Sequence, residues 1–187
     1  MMPKFKNIFI TLTKRGFLSM LIASYYHLVG TLMKTLNKKF ITKKIYNYKM
    51  LLDLYDKGIS RTLLLFGKRE LEHKKMLEDI IKPEMTVLDI GANIGYYSLM
   101  MLELIGNKGK LIAVEPSPSN IEILKKNLLL NKYNNIEVHN AAISDENGTK
   151  KFFLSEMSNL NTLNYTEKKS LNLTGETINV KTLTVPQ

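Results

Sequence analysis

Five residues of this 187-residue chain have types and spacings suited to chemistry: Asp89, Gly91, Asn93, Gly95 and Glu115. Gly91 and Gly95 bracket the turn Gly91-Ala92-Asn93-Ile94-Gly95, which follows a short apolar run and precedes a helical pattern. Glycine in such a turn lets the backbone approach a ligand, while the free N–H groups and positive dipole end of the helix face its negative groups. Glycine spacing alone is a weak signal, because any tight strand-to-helix connection can require it. Asp89 adds a carboxylate that can pair with a ligand ammonium or orient the turn, since a buried charge without a partner is costly. Glu115 closes the next apolar run, 20 residues after Gly95. There a doubly wound fold places an acid that accepts hydrogen bonds from both hydroxyls of a ribose. Together they suit an adenosine-bearing ligand.

The turn discriminates between two such ligands. The dinucleotide fingerprint is G-x-G-x-x-G, and G-A-N-I-G lacks its middle glycine. Asn93 would crowd a pyrophosphate, whereas its amide can serve the amino-acid end of S-adenosylmethionine. A methyltransferase is therefore expected ahead of a dehydrogenase, and a fold that no longer binds the ligand stays open. The chain has no cysteine, which removes disulfides, thiolate zinc sites and cysteine nucleophiles together and fits a reducing compartment, the cytoplasm by default. No metal is expected.

These residues need strands and helices to hold them. A helical pattern over Lys68 to Ile81 sets Leu77, Ile80 and Ile81 on one face, with His73 a turn earlier, and stops before Pro83. Thr86 to Ile90 reads as a short buried strand, and a helix follows the glycine turn through roughly Leu104. Lys110 to Val114 is a second strand, ending at Glu115-Pro116. The next helix places Ile121, Leu124 and Leu128 on one face, and Ser119 with Glu122 fits a capping box. Ile136 to His139 is a third strand. Strand-helix-strand-helix-strand predicts a parallel α/β sheet with right-handed crossovers, half of a doubly wound fold. Past Asp145, extended segments at Lys150 to Leu154 and Thr177 to Leu183 predict a ribbon. Sequons at Asn147, Asn164 and Asn172 read as chance in a chain rich in Asn and Thr.

The formal net charge is +10. Residues 1–50 hold ten Lys/Arg and no acid, so residues 51–187 balance at 17 against 17. Two regions are therefore expected: a basic, partly apolar helical arm over 1–50 and the α/β domain over 51–187. The surplus lies on the arm rather than on a cleft, which ranks nucleic acid low among partners. Phe17 to Met33 is uncharged but too short and too polar to span a bilayer, and no small-x-small cleavage site follows it. Flanking lysines suit the surface of an anionic membrane, and so a peripheral place at the inner membrane surface; packing on the chain's own domain is the equal alternative. His27 reads as structural.

V-L-D-I-G-A-N-I-G-Y-Y-S (Val87 to Ser98), A-V-E-P (Ala113 to Pro116), L-K-K-N (Leu124 to Asn127) and N-A-A-I-S-D (Asn140 to Asp145) resemble the FkbM family of methyltransferases. D-K-G-I-S-R (Asp56 to Arg61), Arg69-Glu70 and S-N-L (Ser158 to Leu160) add to the resemblance, which covers most of Tyr55 to Leu183. It implies a Rossmann-like class I methyltransferase fold with S-adenosylmethionine as cofactor. It also implies that Asp89, Gly91, Asn93 and Gly95 hold the methionine part, Glu115 the ribose, and Asn140, Ala141 and Ala142 the adenine beside Pro116. Tyr96 is expected as a pocket wall or as the first aromatic of its helix. Arg69, Glu70, Ser158 and Asn159 are pocket candidates or surface and capping residues.

The resemblance departs at the C-terminal end. Family members continue through Thr-Leu-Asp into a strand resembling K-I-D-V-E-G; here Thr184 stands at the Asp position and Gln187 is last. A truncated domain with an unpaired strand edge is the expectation, and no catalytic base is named. The expected function is O-methylation of a hydroxyl on a sugar, lipid or secondary metabolite, so a small-molecule, glycan or lipid acceptor. The alternatives are a non-catalytic cofactor-binding module and a membrane-surface adaptor.

Overall fold

The computed structural model describes residues 16–165 and 172–185. After Gly16 the uncharged run coils into α1 (Phe17–Thr35), which lies against α2 (Ile59–Phe66). Ala23, Tyr26, Gly30 and Met33, three or four residues apart, turn toward the domain. A side chain at Gly30 would stand 3.3 Å from Leu64, so the glycine sets how closely α1 lies. The opposite stripe of Leu18, Leu21, Tyr25, Leu28 and Leu32 is 48–69% exposed. Among the described residues no helix is long and apolar enough to cross a membrane.

A hairpin of β1 (Phe40–Ile45) and β2 (Tyr48–Asp53) follows, antiparallel, with the pairs Phe40–Asp53 and Ile45–Tyr48 at its ends. It is not among the expected elements. Its inward residues Ile45, Tyr48, Met50 and Leu52 alternate as a half-buried strand requires, but five lysines between 38 and 49 mask the pattern. Lys43 resolves its own conflict by reaching over the Tyr26 ring, 3.5 Å from its centroid, and donating to the Leu64 carbonyl at 2.5 Å. Burial lowers its pKa to about 8. Next, α3 (Leu71–Ile80) begins three residues later than the periodicity predicts, because Gly67 at φ 69° closes α2 and Glu70 at φ 50° breaks the helical path.

The main sheet has β3 (Thr86–Ile90), β4 (Lys110–Val114) and β5 (Ile136–His139) in that order, all parallel. These bounds match the sequence reading residue for residue. Helices α4 (Tyr96–Ile105) and α5 (Pro118–Leu130) cover the face that carries Leu111 and Ala113. The other face leaves Leu88 43% and Ile90 54% exposed, although parallel sheets are ordinarily covered on both sides. Among the described residues β3 pairs with β4 alone. This is a Rossmann-like α/β layer pair, half of a doubly wound fold.

The predicted ribbon is β7 (Gly148–Ser155) against β8 (Leu173–Leu183), longer than expected, with β6 (Ala142–Ile143) added parallel to β8. The expected capping box is corrected. Ser117 is the N-cap of α5 and makes no side-chain capping bond, Ser119 meets the Ser117 hydroxyl at 2.9 Å, and Glu122 pairs with Lys126 at 2.5 Å. Pro118, with its fixed φ and missing N–H, takes the first helical position and moves the start upstream.

Candidate functional site

The glycine loop crosses from the end of β3 to α4 over the end of β4. The Gly91 and Ala92 amides donate to the Val114 carbonyl at 2.8 and 3.1 Å, which ties the loop to the neighbouring strand. Gly91 has φ 80°, and a side chain there would meet nothing within 4 Å, so its open side admits a ligand to the backbone. Gly95 differs. At φ 91°, a conformation L side chains rarely adopt, glycine is favoured by the backbone, and a side chain here would also displace a Leu124 methyl 2.6 Å away. Asn93 also lies at positive φ, 50°, and its side-chain oxygen accepts from the next amide at 2.8 Å.

Asp89 and Glu115 both end up buried, at 7% and 4% exposure. Burial pushes the Asp89 carboxyl up, and the Ser98 hydroxyl, donating at 2.6 Å, opposes the shift. One donor leaves most of that carboxylate's capacity unused. Burial likewise raises Glu115. It is opposed by donors from the Ser117 amide at 2.9 Å, Asn120 at 3.1 Å and the Asn93 amide at 2.8 Å, while the nearby Asp89 charge adds to the rise. Glu115 thus joins the glycine loop to the start of α5, and about one of its four lone-pair positions is left for a ligand. At the end of β5, Asn140 donates to the Glu115 and Pro116 carbonyls at 3.0 and 2.9 Å. Ala141 and Ala142 beside it are buried.

Other candidates separate. Tyr96 is 1% exposed, with its hydroxyl donating to the Arg69 carbonyl at 2.9 Å and accepting from the Arg69 amide at 3.2 Å. The pocket-wall expectation for Tyr96 is corrected: it is a core residue. Tyr97 takes the outward place, donating to Glu70, which also pairs with Arg69; His73 Nδ1 lies 3.0 Å from the Tyr97 hydroxyl. Burial pushes Glu70 up, but the hydrogen bonds from Tyr97 and Arg69 outweigh it and hold the carboxyl below its usual range. Ser158, in a 3-10 turn over Ser158–Leu160, meets the loop through Asn93 at 3.5 Å and donates its amide to Asp56 at 3.1 Å.

Three supporting residues carry roles that the sequence reading did not assign: Ser98 and Asn127, quoted there only as motif ends, and Asn120. Asn127 is fully buried, donates to the Ile94 carbonyl at 2.8 Å and accepts from the Leu51 amide at 2.6 Å, so it holds the loop and the hairpin together. A signal was present, since asparagine on the apolar face of a helix demands a buried partner. Among the described residues no group of three or more His, Cys, Asp or Glu side chains could hold a metal ion.

A family model described as the TRM5/TYW2 methyltransferase domain matches residues 48–164. Among curated proteins, the protein-L-isoaspartate O-methyltransferase of Methanococcus vannielii is 46% identical over 52 residues, 28% of this chain and 25% of that protein. That of Methanothrix thermoacetophila is 33% identical over 58 residues, 31% of this chain and 28% of the other. The chain thus spans about a quarter of the length of these relatives. Among solved structures, M. jannaschii TYW2 in complex with AdoMet is 24% identical, covering 55% of this chain and 43% of that one at a TM-score of 0.45. The complex of aTrm5 and tRNALeu is 18% identical, covering 63% and 40% at a TM-score of 0.43. The cofactor expectation agrees with the family match: S-adenosylmethionine is the cofactor of this kind of domain. Two expectations are corrected. The matching family is the TRM5/TYW2 methyltransferase domain rather than FkbM, and with that family the low rank given to nucleic acid among partners does not stand.

Proposed function

We propose, given that the chain belongs to the TRM5/TYW2 methyltransferase domain family, that it is a methyltransferase domain whose acceptor is RNA. The observation that carries the methyltransferase reading is the pairing of a buried, once-bonded Asp89 carboxylate with the open backbone of Gly91. S-adenosylmethionine, when bound, supplies a methyl group activated on a sulfonium.

The chain's own part is to bind and align. Asp89 receives the ammonium of the methionine end, whose charge offsets the cost of a buried carboxylate. Gly91 admits that end to the backbone, and Asn93 and Gly95 hold the curve of the loop. Glu115 turns its remaining lone pair to a ribose hydroxyl, and Pro116, Asn140, Ala141 and Ala142 border the adenine. Methyl transfer depends mainly on holding donor and acceptor in line, so these contacts act by positioning, and no catalytic base is assigned.

RNA as acceptor is supported by the family and by the ten Lys/Arg without one acid over residues 1–50, a distribution suited to phosphates. A cytoplasmic setting belongs to the same proposal, supported by the absence of cysteine. O-methylation of a sugar, lipid or secondary-metabolite hydroxyl is the finer reading that RNA replaces. The test is calorimetric titration of S-adenosylmethionine into the full chain, followed by transfer of a radiolabelled methyl group to total tRNA and, separately, to small hydroxylated compounds. Saturable binding with label in the tRNA supports the proposal. Binding with label only in the small compounds refutes the acceptor, and no binding by a folded chain refutes the methyltransferase reading.

A further inference from the structure

A cavity of about 520 Å³ opens between the hairpin, α2, α5 and the end of β7, and reaches Ile94 of the glycine loop, Asn120 and Ser158. Its ionisable wall is lopsided. Asp53, Asp56, Glu122 and Glu156 line it, against Lys39 as the one base among the described lining residues. Asp56 is committed to capping, accepting from the Ser60 amide at 2.8 Å. Asp53 is committed on one side only: its Oδ1 accepts from the Tyr55 amide at 2.8 Å, while its Oδ2 faces Lys39 at 3.7 Å, beyond hydrogen-bond reach, in a side chain that is 16% exposed.

The wall also shows what it attracts. The Phe40 ring has the ammonium groups of Lys39 and Lys126 each 5.3 Å from its centroid, and Tyr55 has that of Lys34 at 4.9 Å. Lys57 and Lys126 reach Glu156 and Glu122 at 2.9 and 2.5 Å. Ammonium groups therefore gather on these carboxylates and aromatic faces, as cation–π and charge attraction dictate. They come on long, exposed stems whose ordering is entropically unfavourable, so they can give way. An independent observation is Ser60. It is 1% exposed and lines the same cavity, and its hydroxyl has no hydrogen-bond partner. A buried hydroxyl left unpaired costs free energy, and in the wall of a polar cavity a small side-chain rotation can offer it to a ligand.

We infer that this cavity is a binding site for a small alkylammonium compound of the diamine or polyamine class. One ammonium sits between Asp53 and the rings of Phe40 and Tyr55, and a neighbouring N–H donates to the Ser60 hydroxyl. The inference needs neither S-adenosylmethionine nor RNA, so it stands or falls apart from the function proposed above.

The probe is spermidine, titrated calorimetrically into the full chain at low and at physiological salt, beside inorganic phosphate. A chain of net charge +10 repels polyamines in general, so saturable binding reports a local site. The expected result is one saturable site that weakens with salt. Asp53→Asn weakens it about tenfold or more, as loss of a charge-assisted contact requires. Ser60→Ala weakens it about three- to tenfold with a thermal midpoint unchanged or higher, because an unpartnered hydroxyl has been removed. Absence of saturable binding by folded wild type overturns the inference. So does wild-type affinity in a folded Ser60→Ala variant, or inorganic phosphate binding more tightly than spermidine.

Discussion

Asn127 and Asn131 form an amide ladder, and replacing each in turn isolates what burial contributes to it. Asn127 lies in the last turns of α5 and Asn131, four residues on, is its C-cap; each grips the backbone of β2. Asn127 accepts from Leu51 N–H at 2.6 Å, while Asn131 accepts from Lys49 N–H at 2.8 Å and donates back to the Lys49 carbonyl at 2.7 Å. The match is geometric, since four helical residues advance ~6 Å and two strand residues ~6.8 Å. Asn127→Ala leaves two backbone groups unpaired, the part-buried Leu51 N–H and the buried Ile94 carbonyl. At about 1–3 kcal/mol each, the loss is roughly 4 kcal/mol, or a midpoint lower by about 8–16 °C for a chain of this size. Asn131→Ala removes similar bonds where water can replace them, so about 0–1 kcal/mol is expected. Urea unfolding followed by circular dichroism measures both. Equal losses in the two variants, or a loss below about 1 kcal/mol for Asn127→Ala, would refute the assignment of Asn127 as the tie between hairpin and loop.

Asp89→Asn keeps the Ser98 bond but removes the charge, and is expected to weaken S-adenosylmethionine binding about ten- to a hundredfold by calorimetry. The same change stabilises the free protein at neutral pH. A carboxyl raised by burial contributes stability that is full below its unfolded pKa and is lost as pH rises through its folded value, so the gain should vanish in acid. Gly91→Ala strains a residue at φ 80° by about 1–2 kcal/mol without a packing clash, and should lower cofactor affinity more than its thermal midpoint would suggest. Glu70, held low by Tyr97 and Arg69, contributes stability present above its unfolded pKa and lost as pH falls through its folded one. Tyr97→Phe should therefore raise the Glu70 carboxyl in an NMR titration and reduce the acid sensitivity of folding. Ile90→Thr, at a 54% exposed position, should cost less than about 0.5 kcal/mol and diminish binding of a dye specific for apolar surface.

The strands of the main sheet were legible to the residue because β3 and β4 are short, largely apolar runs and β5 alternates apolar and polar residues, each bounded by a turn with glycine, proline or asparagine. Asp89 and Glu115 were legible for a related reason, as carboxylates where an apolar run stops. Their internal work was not. That Glu115 accepts three bonds from its own chain depends on Asn93 and Asn120 arriving from two other elements, which no local pattern records. The β1–β2 hairpin was hidden by its lysines, one of which lies along a ring rather than in solvent. Tyr96 and Tyr97 could not be told apart by sequence because α4 is apolar nearly all round, so no face announces itself. The low rank given to nucleic acid failed for a different reason: where the basic residues fall along the sequence does not decide whether a polyanion is bound.

The contact between Gly95 and Leu124 should couple these two positions as the sequence changes. Leu124 fills the space that any side chain at residue 95 would need, standing 2.6 Å from it, and it rises from the helix whose first residues hold Glu115. A relative that acquires alanine at 95 should therefore carry a smaller residue at 124. A relative that keeps the glycine is free to keep the leucine whatever it methylates. Paired change at these two positions would mark lineages in which the loop has been re-aimed, and it could be read from sequences alone.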